Sequence, residues 1–434
     1  MTDYMVDSTE LTSIANAIRA KSGKTEKLIF PGGFTSEINS FQIAPEKYIT
    51  ETYDETTGAV LTAELHGYTN VPSMVFAAQT SLTHVSLPND ITGIGTAAFG
   101  ECPKLALTSL PSGITSIGDQ AFYRCTSLAL TSLPSGLTSI GKYAFQGCTS
   151  LALTSLPSGV TSIGEGVFYG CTSLALTSLP SGVTSIGNLA FYRCASLAIT
   201  SLPSGLTSIG ESAFERCTNL ALTSLPSGLT SIGDHAFREC TSLAITSLPS
   251  GLTSIGDRAF EDSSLALTSL PSEWTSINDY MFYNCASLAL TELPSGITSI
   301  GSYAFQGCTN LALTSLPSGV TSINIGTFID CTNLALTSLP SGLTSIDGSA
   351  FRQCTSLALT SLPSGLTSIG FRAFSGCTGL TSIKFEGTPT SINGRAFQDC
   401  TNLKSIKVPW AQGAVSGAPW GATNATITYN YTGA

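Results

Sequence analysis

The sequence predicts a mainly β solenoid of about fifteen coils, and three regularities carry that prediction. Phe99, Phe122, Phe145, Phe168, Phe191, Phe214, Phe237 and Phe260 stand 23 residues apart, with Phe76 one period upstream. After a single interval of 22 to Phe282, the beat resumes through Phe305, Phe328, Phe351, Phe374 and Phe397. All thirteen Cys follow a Phe of this grid by three residues. A fixed period of this length means stacked coils that pack only on their neighbours, so the core is a continuous rod rather than two or three globules. A repeated unit also supplies many copies of one environment and no unique reaction centre, which argues against catalysis.

Composition narrows the partners. Charged residues make up 11%, against roughly 25% in ordinary soluble domains, so Ser, Thr and Gly must form most of the polar surface. The net charge is −10, and between Lys104 and Lys384 the only lysine is Lys142. No basic patch for nucleic acid or anionic lipid is expected. No stretch approaches the ~18 apolar residues of a membrane span, so no membrane insertion is expected. Met1 to Ser22 shows neither an apolar h-region nor a cleavage pattern, so no secretory signal is expected.

Taken in order, the elements begin with a small α+β segment. Asp7 and Glu10 give an N-cap with an acidic residue at N3. Leu11, Ile14, Ala15 and Ile18 keep helical spacing up to Gly23, which predicts a short amphipathic helix. A Pro-Gly-Gly turn and a second brief helix near Ser36 to Phe41 complete residues 1–45. Tyr48 to Leu65 reads as a hairpin around Thr57-Gly58, and residues 46–66 are assigned as an N-cap. The solenoid occupies residues 67–408. Residues 409–434 form a β C-terminal cap, in which Trp410, Trp420 and Thr426-Ile427-Thr428-Tyr429 make an aromatic plug and a final strand. A bare solenoid end would be an open edge.

Cys148 to Gly170 serves as the unit. Leu151 and Leu153 alternate with Ser150, Ala152 and Thr154, the pattern of a half-buried strand. Leu156-Pro157-Ser158-Gly159 turns the chain. Val160 to Gly164 is a second short extended run, after which Val167 and Phe168 point inward from a tight or 3₁₀-like turn. The Cys ladder reads as buried reduced thiols bonded weakly to turn backbone. Redox linkage between coils is the alternative, although parallel side chains suit a disulfide poorly. No C-x-x-C or paired His exists, so neither metal nor cofactor is expected. His66, His84, His235 and the scattered carboxylates form no nucleophile–base–orienter set.

The pattern C-x-x-L…L-P-x-x-[VLI]-T-S-I-G-x-x-A-F, over about Gly67 to Val408, resembles the BspA-like leucine-rich repeat. The resemblance implies a curved, right-handed leucine-rich-repeat solenoid and a role in adhesion or surface recognition. One departure bears on register. Family strands read L-T-S-I-x-L-P, as at Leu380–Phe385 and Leu403–Val408, whereas most coils here read L-A-L-T-S-L-P. At the ends, LTSIANAIRAKSGKTEKLIFPGGFTSEI resembles a segment recurrent in tail-associated proteins of phages of Gram-positive bacteria. VPWAQGAVSGAPWGATNATITYNY is similar to an ending of the same kind of protein. These likenesses imply a virion (phage tail) or prophage product made in the bacterial cytoplasm, with residues 1–45 contacting other tail proteins. A cell-surface location is the alternative.

Most coil positions are constant within the chain, and variation concentrates in the pair before Ala-Phe and the pair after Phe. The candidate ligand-binding edge is Tyr123, Arg124, Tyr143, Tyr169, Tyr192, Arg193, Arg216, Arg238, Trp274, Tyr280, Tyr283 and Tyr303. Tyr and Arg combine large contact area with hydrogen-bonding ends. The same variable positions hold Asp119, Gln120, Lys142, Glu215, His235, Arg258, Arg352 and Arg372, and free drift of exposed sites is the competing explanation. Residues 260–283 lose one residue near Ser263 and mark the expected kink. There Trp274 either fills the space opened by the deletion or forms an exposed aromatic patch. The outward Ser, Ala and Thr of the strands lack the T-x-T spacing used against ice. The expected partner is a host cell-surface glycan or protein; a bacterial adhesin and a ligand-free spacer are the alternatives.

Overall fold

Each Thr-Ser-Ile-Gly run places Ile inside and Ser outside, and in the computed structural model these runs carry the longest sheets. The structure describes residues 47–432; the expected segment 1–45, with its helix over residues 11–18, lies outside the described residues. Ser208–Ile209 pairs in parallel with Ser185–Ile186 on one side and Ser231–Ile232 on the other. About 16 such turns stack, and the described residues contain no helix. A Gly ends most runs because neighbouring coils meet there. A Cβ on Gly210 would lie 2.5 Å from Asn188 Oδ1 and 2.6 Å from Asn188 N, and Gly alone permits that approach.

Beyond each Gly the chain turns and buries Ala and Phe. The Phe side chains form one column of near-parallel rings from Phe76 to Phe397, with centroids 5.1 to 6.0 Å apart. Each offset pair adds about 0.5–1.5 kcal/mol beyond the area it buries. The widest step, Phe260 to Phe282, crosses the coil that lacks a residue. All thirteen Cys are free and buried. Each Sγ donates to the carbonyl of the Phe in the coil before it, at 2.9–3.1 Å. The ladder therefore ties coils together by hydrogen bonds. Where Ser263 replaces Cys, its hydroxyl faces Cys285 Sγ at 3.6 Å.

The Leu-Ala-Leu run differs from expectation. Leu151 and Leu153 are buried as anticipated, but the central coils form no strand there. A bond from Ala152 N to Leu130 O, 3.1 Å, stands in for a ladder. Paired strands at this column occur toward the ends, at Ser361–Leu362, Ser382–Phe385, Ser405–Lys407 and Thr426–Thr428. The cause is apolar spacing. Leu380, Ile383 and Phe385 fall three, six and eight residues after Cys377, whereas Leu151, Leu153 and Leu156 fall three, five and eight after Cys148. Moving one apolar side chain from the sixth place to the fifth breaks the alternation and at most a stub remains. Leu357, Leu359 and Leu362 keep the three, five, eight spacing after Cys354, and only Ser361–Leu362 pairs there, beside the longer Ser382–Phe385.

Further elements stand at both ends of the described residues. Tyr48–Tyr53 and Val60–His66 sit side by side in a sheet completed by His84–Ser86. Their turn is fixed by Asp54, whose carboxylate accepts bonds from Thr56 and Thr57 and is held below the usual carboxylate range by them. At the other end Trp410 packs edge-on to Phe385 at 5.1 Å, Trp420 is fully buried, and Thr426–Thr428 pairs with Ser405–Lys407.

Candidate functional site

The turn x-x-Ala-Phe-x-x-Cys positions the candidate edge. Its amides donate forward to the next coil, as in Tyr143 N to Glu165 O (2.9 Å) and Gly147 N to Tyr169 O (2.7 Å). Two backbone sites per turn are left-handed: the residue before Ala-Phe and the residue before Cys. Glycine fills them at Gly147, Gly166, Gly170, Gly307, Gly326 and Gly376. Arg124, Tyr143, Arg193, Arg216, Tyr280 and Tyr303 occupy the same sites with φ between 55° and 61°, Tyr280 at 52°. A side chain in that region costs roughly 1–2 kcal/mol relative to the right-handed one.

Two groups of candidate residues come together. Tyr169 stacks on Tyr192 with centroids 4.6 Å apart, and the Arg193 guanidinium lies 5.3 Å from the Tyr192 ring centre. Arg193 is exposed and makes no ion pair among the described residues. In the second group Tyr280 stacks on Tyr303 at 4.8 Å and meets Tyr283 at 5.7 Å. Arg258, a variable position outside the candidate set, completes this group with its guanidinium 3.8 Å from the Tyr280 ring centre. Only the stacking geometry singles it out from other variable arginines. Tyr123 stands apart from both groups, with Arg124 at 5.0 Å.

Other candidates are tied up by charges. Tyr143 donates its hydroxyl to Glu165, which pushes the phenol up to about 12. Lys142 holds the same carboxylate at 3.1 Å. Arg216 grips Glu239 with two bonds of 2.9 and 3.0 Å. Arg238 lies between Glu215 (3.0 Å) and Glu261 (3.4 Å), whose side chains are only 8% and 7% exposed. Arg216 and Arg238 therefore hold the coils between the two Tyr groups rather than presenting free cations. Trp274 requires correction as an edge residue. Its indole is buried and donates Nε1 to Leu252 O at 3.0 Å, so it fills the space left by the deletion.

Many Thr hydroxyls of the Thr-Ser-Ile runs are committed to the neighbouring coil. Thr115, Thr207 and Thr367 donate to carbonyls one coil back at 3.2, 3.2 and 2.8 Å. Among the described residues no group of His, Cys, Asp and Glu is arranged to hold a metal ion, and no helix is long and apolar enough to cross a membrane.

A parallel stack of 23-residue coils with a Phe column and a Cys column defines a leucine-rich-repeat solenoid. The chain belongs to the BspA type leucine rich repeat region family, whose model matches residues 69–198, 161–289 and 275–404. Among solved structures it is similar to a leucine-rich repeat protein from Bacteroides ovatus, at 26% identity over 88% of this chain and 98% of that one, with a TM-score of 0.59. It is also similar to a leucine rich cell surface protein from Faecalibacterium prausnitzii, at 23% identity over 80% and 96% of the two chains, with a TM-score of 0.43. A leucine-rich repeat protein from Eubacterium ventriosum matches at 22% identity over 76% and 95%, with a TM-score of 0.44. No curated protein matches the chain.

Proposed function

We propose that this chain is a non-enzymatic, phage tail-associated binding protein. In this reading residues 1–45 attach to the particle, and the solenoid recognises a host surface glycan or protein through its Tyr/Arg edge. The observation that carries it is the pair of stacked Tyr groups, each with an Arg guanidinium against a ring. They occur at the positions that vary while the rest of the coil repeats, and Arg193, Arg258, Tyr280 and Tyr303 stand on left-handed backbone that other coils relax with Gly. Rigid aromatic anchors beside Arg are what contact surfaces use. The likeness of both terminal segments to phage tail-associated proteins supports the location.

Membership of a family whose proteins are often found at cell surfaces favours a second reading, a bacterial surface adhesin. A pull-down on whole Gram-positive cells and on tail particles separates the two. The full chain should bind both, and loss of residues 1–45 should remove particle binding alone. Changing Tyr169, Tyr192 and Arg193 to Ala together should weaken cell binding tenfold or more, on the order expected for an aromatic–Arg hot spot. Cell binding without particle binding by the full chain would favour the adhesin. Binding to neither would leave a spacer.

A further inference from the structure

The coil that lacks one residue opens a notch in the sheet. Ser254–Ile255 and Ser276–Ile277 do not pair. Thr253 N donates to Thr230 O (3.1 Å) and Thr298 N to Thr275 O (2.9 Å), but among the described residues no such bond joins Thr275 to Thr253. Asn278 stands where most coils have Gly, and its Nδ2 reaches Ile255 O at 2.7 Å, tying the two coils across the missing rung. Trp274 anchors the same coil through Leu252 O. A cavity of 220 Å³ remains. Thr253, Ser254, Thr275 and Ser276 line it with hydroxyls, Asn278 with a side-chain amide and Trp274 with its indole. Ile255 and Met281 complete the lining, which includes no charged side chain.

We propose that this notch is a subsite for a neutral, hydroxyl-rich ring: a single pyranose unit of a glycan. The volume is below the roughly 300–1,000 Å³ of sites for drug-sized ligands, so it suits one ring. The Ser254, Thr275 and Ser276 hydroxyls both donate and accept and Asn278 Oδ1 accepts, which matches the donors and acceptors around a sugar ring. Thr253 Oγ1 and Asn278 Nδ2 already donate to Thr230 O and Ile255 O. Carboxylates, phosphates and ammonium groups are disfavoured, because each would be desolvated there without a counter-charge. Ile255, Trp274 and Met281 floor the notch with side chains almost wholly buried, so hydrogen bonds to the rim rather than stacking would hold the ring. The Thr253 carbonyl and Thr275 amide, released from the ladder, add polar partners at the same place. The subsite is separate from the Tyr/Arg edge and stands whether or not that edge binds.

The test is saturation-transfer NMR of the full chain with the methyl glycosides of glucose, galactose, rhamnose and N-acetylglucosamine. At least one glycoside should receive saturation. Ser276→Tyr, which fills the notch, should abolish the signal, while Ser208→Tyr in a regular coil should leave it unchanged. Ser254→Ala with Ser276→Ala removes two hydroxyls without adding volume and should weaken binding about tenfold. That pair decides the matter alone if Ser276→Tyr does not fold, as judged by its melting temperature. No saturation for any glycoside would overturn the proposal and leave a water-filled gap. A signal that survives the notch variants would overturn it equally, by placing the sugar elsewhere.

Discussion

At the residue scale, the same side-chain type does different work according to burial. Arg238 compensates Glu215 and Glu261, two carboxylates almost out of water, whereas Arg124 and Glu101 are 63% and 53% exposed at 3.7 Å. Arg238→Ala should therefore destabilise by about 3–5 kcal/mol, because it leaves the buried Glu215 carboxylate unpaired, while Glu261 keeps Arg258 at 3.0 Å. Arg124→Ala should change stability by less than about 1 kcal/mol. Denaturant unfolding of the two variants checks the contrast. Cysteine gives a second prediction. Burial pushes the Cys102 thiol up to about 11 and Cys285 and Cys400 up to about 12, from an ordinary 9.0. The folded state thus keeps its protons where unfolded thiols have lost them. This contribution to stability is complete below about pH 9 and is lost as pH rises through the folded values. The melting temperature should accordingly fall steeply above about pH 9. A thiol reagent at about pH 8 should leave the native protein unlabelled and label it after unfolding.

The element scale is governed by how closely coils approach. Gly210 sits where a Cβ would collide with Asn188, while Gly205 has nothing within 4 Å. Gly210→Ala must push two coils apart and should lower the melting temperature by several degrees, since 1 kcal/mol shifts a domain by about 2–8 °C. Gly205→Ala should be neutral or stabilise by up to about 1 kcal/mol through the unfolded chain. Equal effects at the two sites would contradict the packing described. The Leu-Pro-Ser-Gly turn is loose at Gly136, Gly205 and Gly342 but closer at Gly113, Gly159 and Gly319, where a Cβ would lie 3.0–3.1 Å from the coil before. The Thr-Ser-Ile-Gly run is the tighter seam at Gly210, Gly233 and Gly256.

Across the whole molecule, stability is a sum of coil and neighbour terms, so weak rungs divide the rod into cooperative blocks. The Ser-Ile ladder is interrupted after Ser139–Ile140, after Ser254–Ile255 and after Ser299–Ile300. At the last two breaks Asn replaces Gly, and the Asn278 and Asn324 side chains bond to Ile255 O and Ile300 O in place of a backbone amide. Native-state hydrogen exchange should show protection changing at these three places, with the break at 255–277 the least protected. Uniform protection from 70 to 400 would sink that view. The Phe column runs unbroken across all three places, with ring centroids 5.7, 6.0 and 5.6 Å apart, so the blocks remain joined by their cores.

The 23-residue period, the inward Phe, the Thr-Ser-Ile run, the hairpin around Thr57-Gly58 and the Trp plug were legible in the sequence, because local periodicity alone decides which side chains face a shared core. The Tyr and Arg positions were legible as variable sites for the same reason. Their grouping was not. That Tyr169 meets Tyr192 while Arg238 is consumed by Glu215 and Glu261 depends on which residues of successive coils fall into one column, and on how far each side chain leans along it. Leu151 and Leu153 looked like a strand because they alternate; the full strand at this column uses the sixth and eighth places, as Ile383 and Phe385 do, and a Leu at the fifth is out of phase with the eighth. Trp274 was ambiguous because a missing residue opens space whose size only stacked coils define. The sequence by itself determined a regular rod of coils with its Phe core. Tertiary structure decided where that regularity fails, because a single lost residue or a misplaced Leu has no local signature until the neighbouring coil is laid against it.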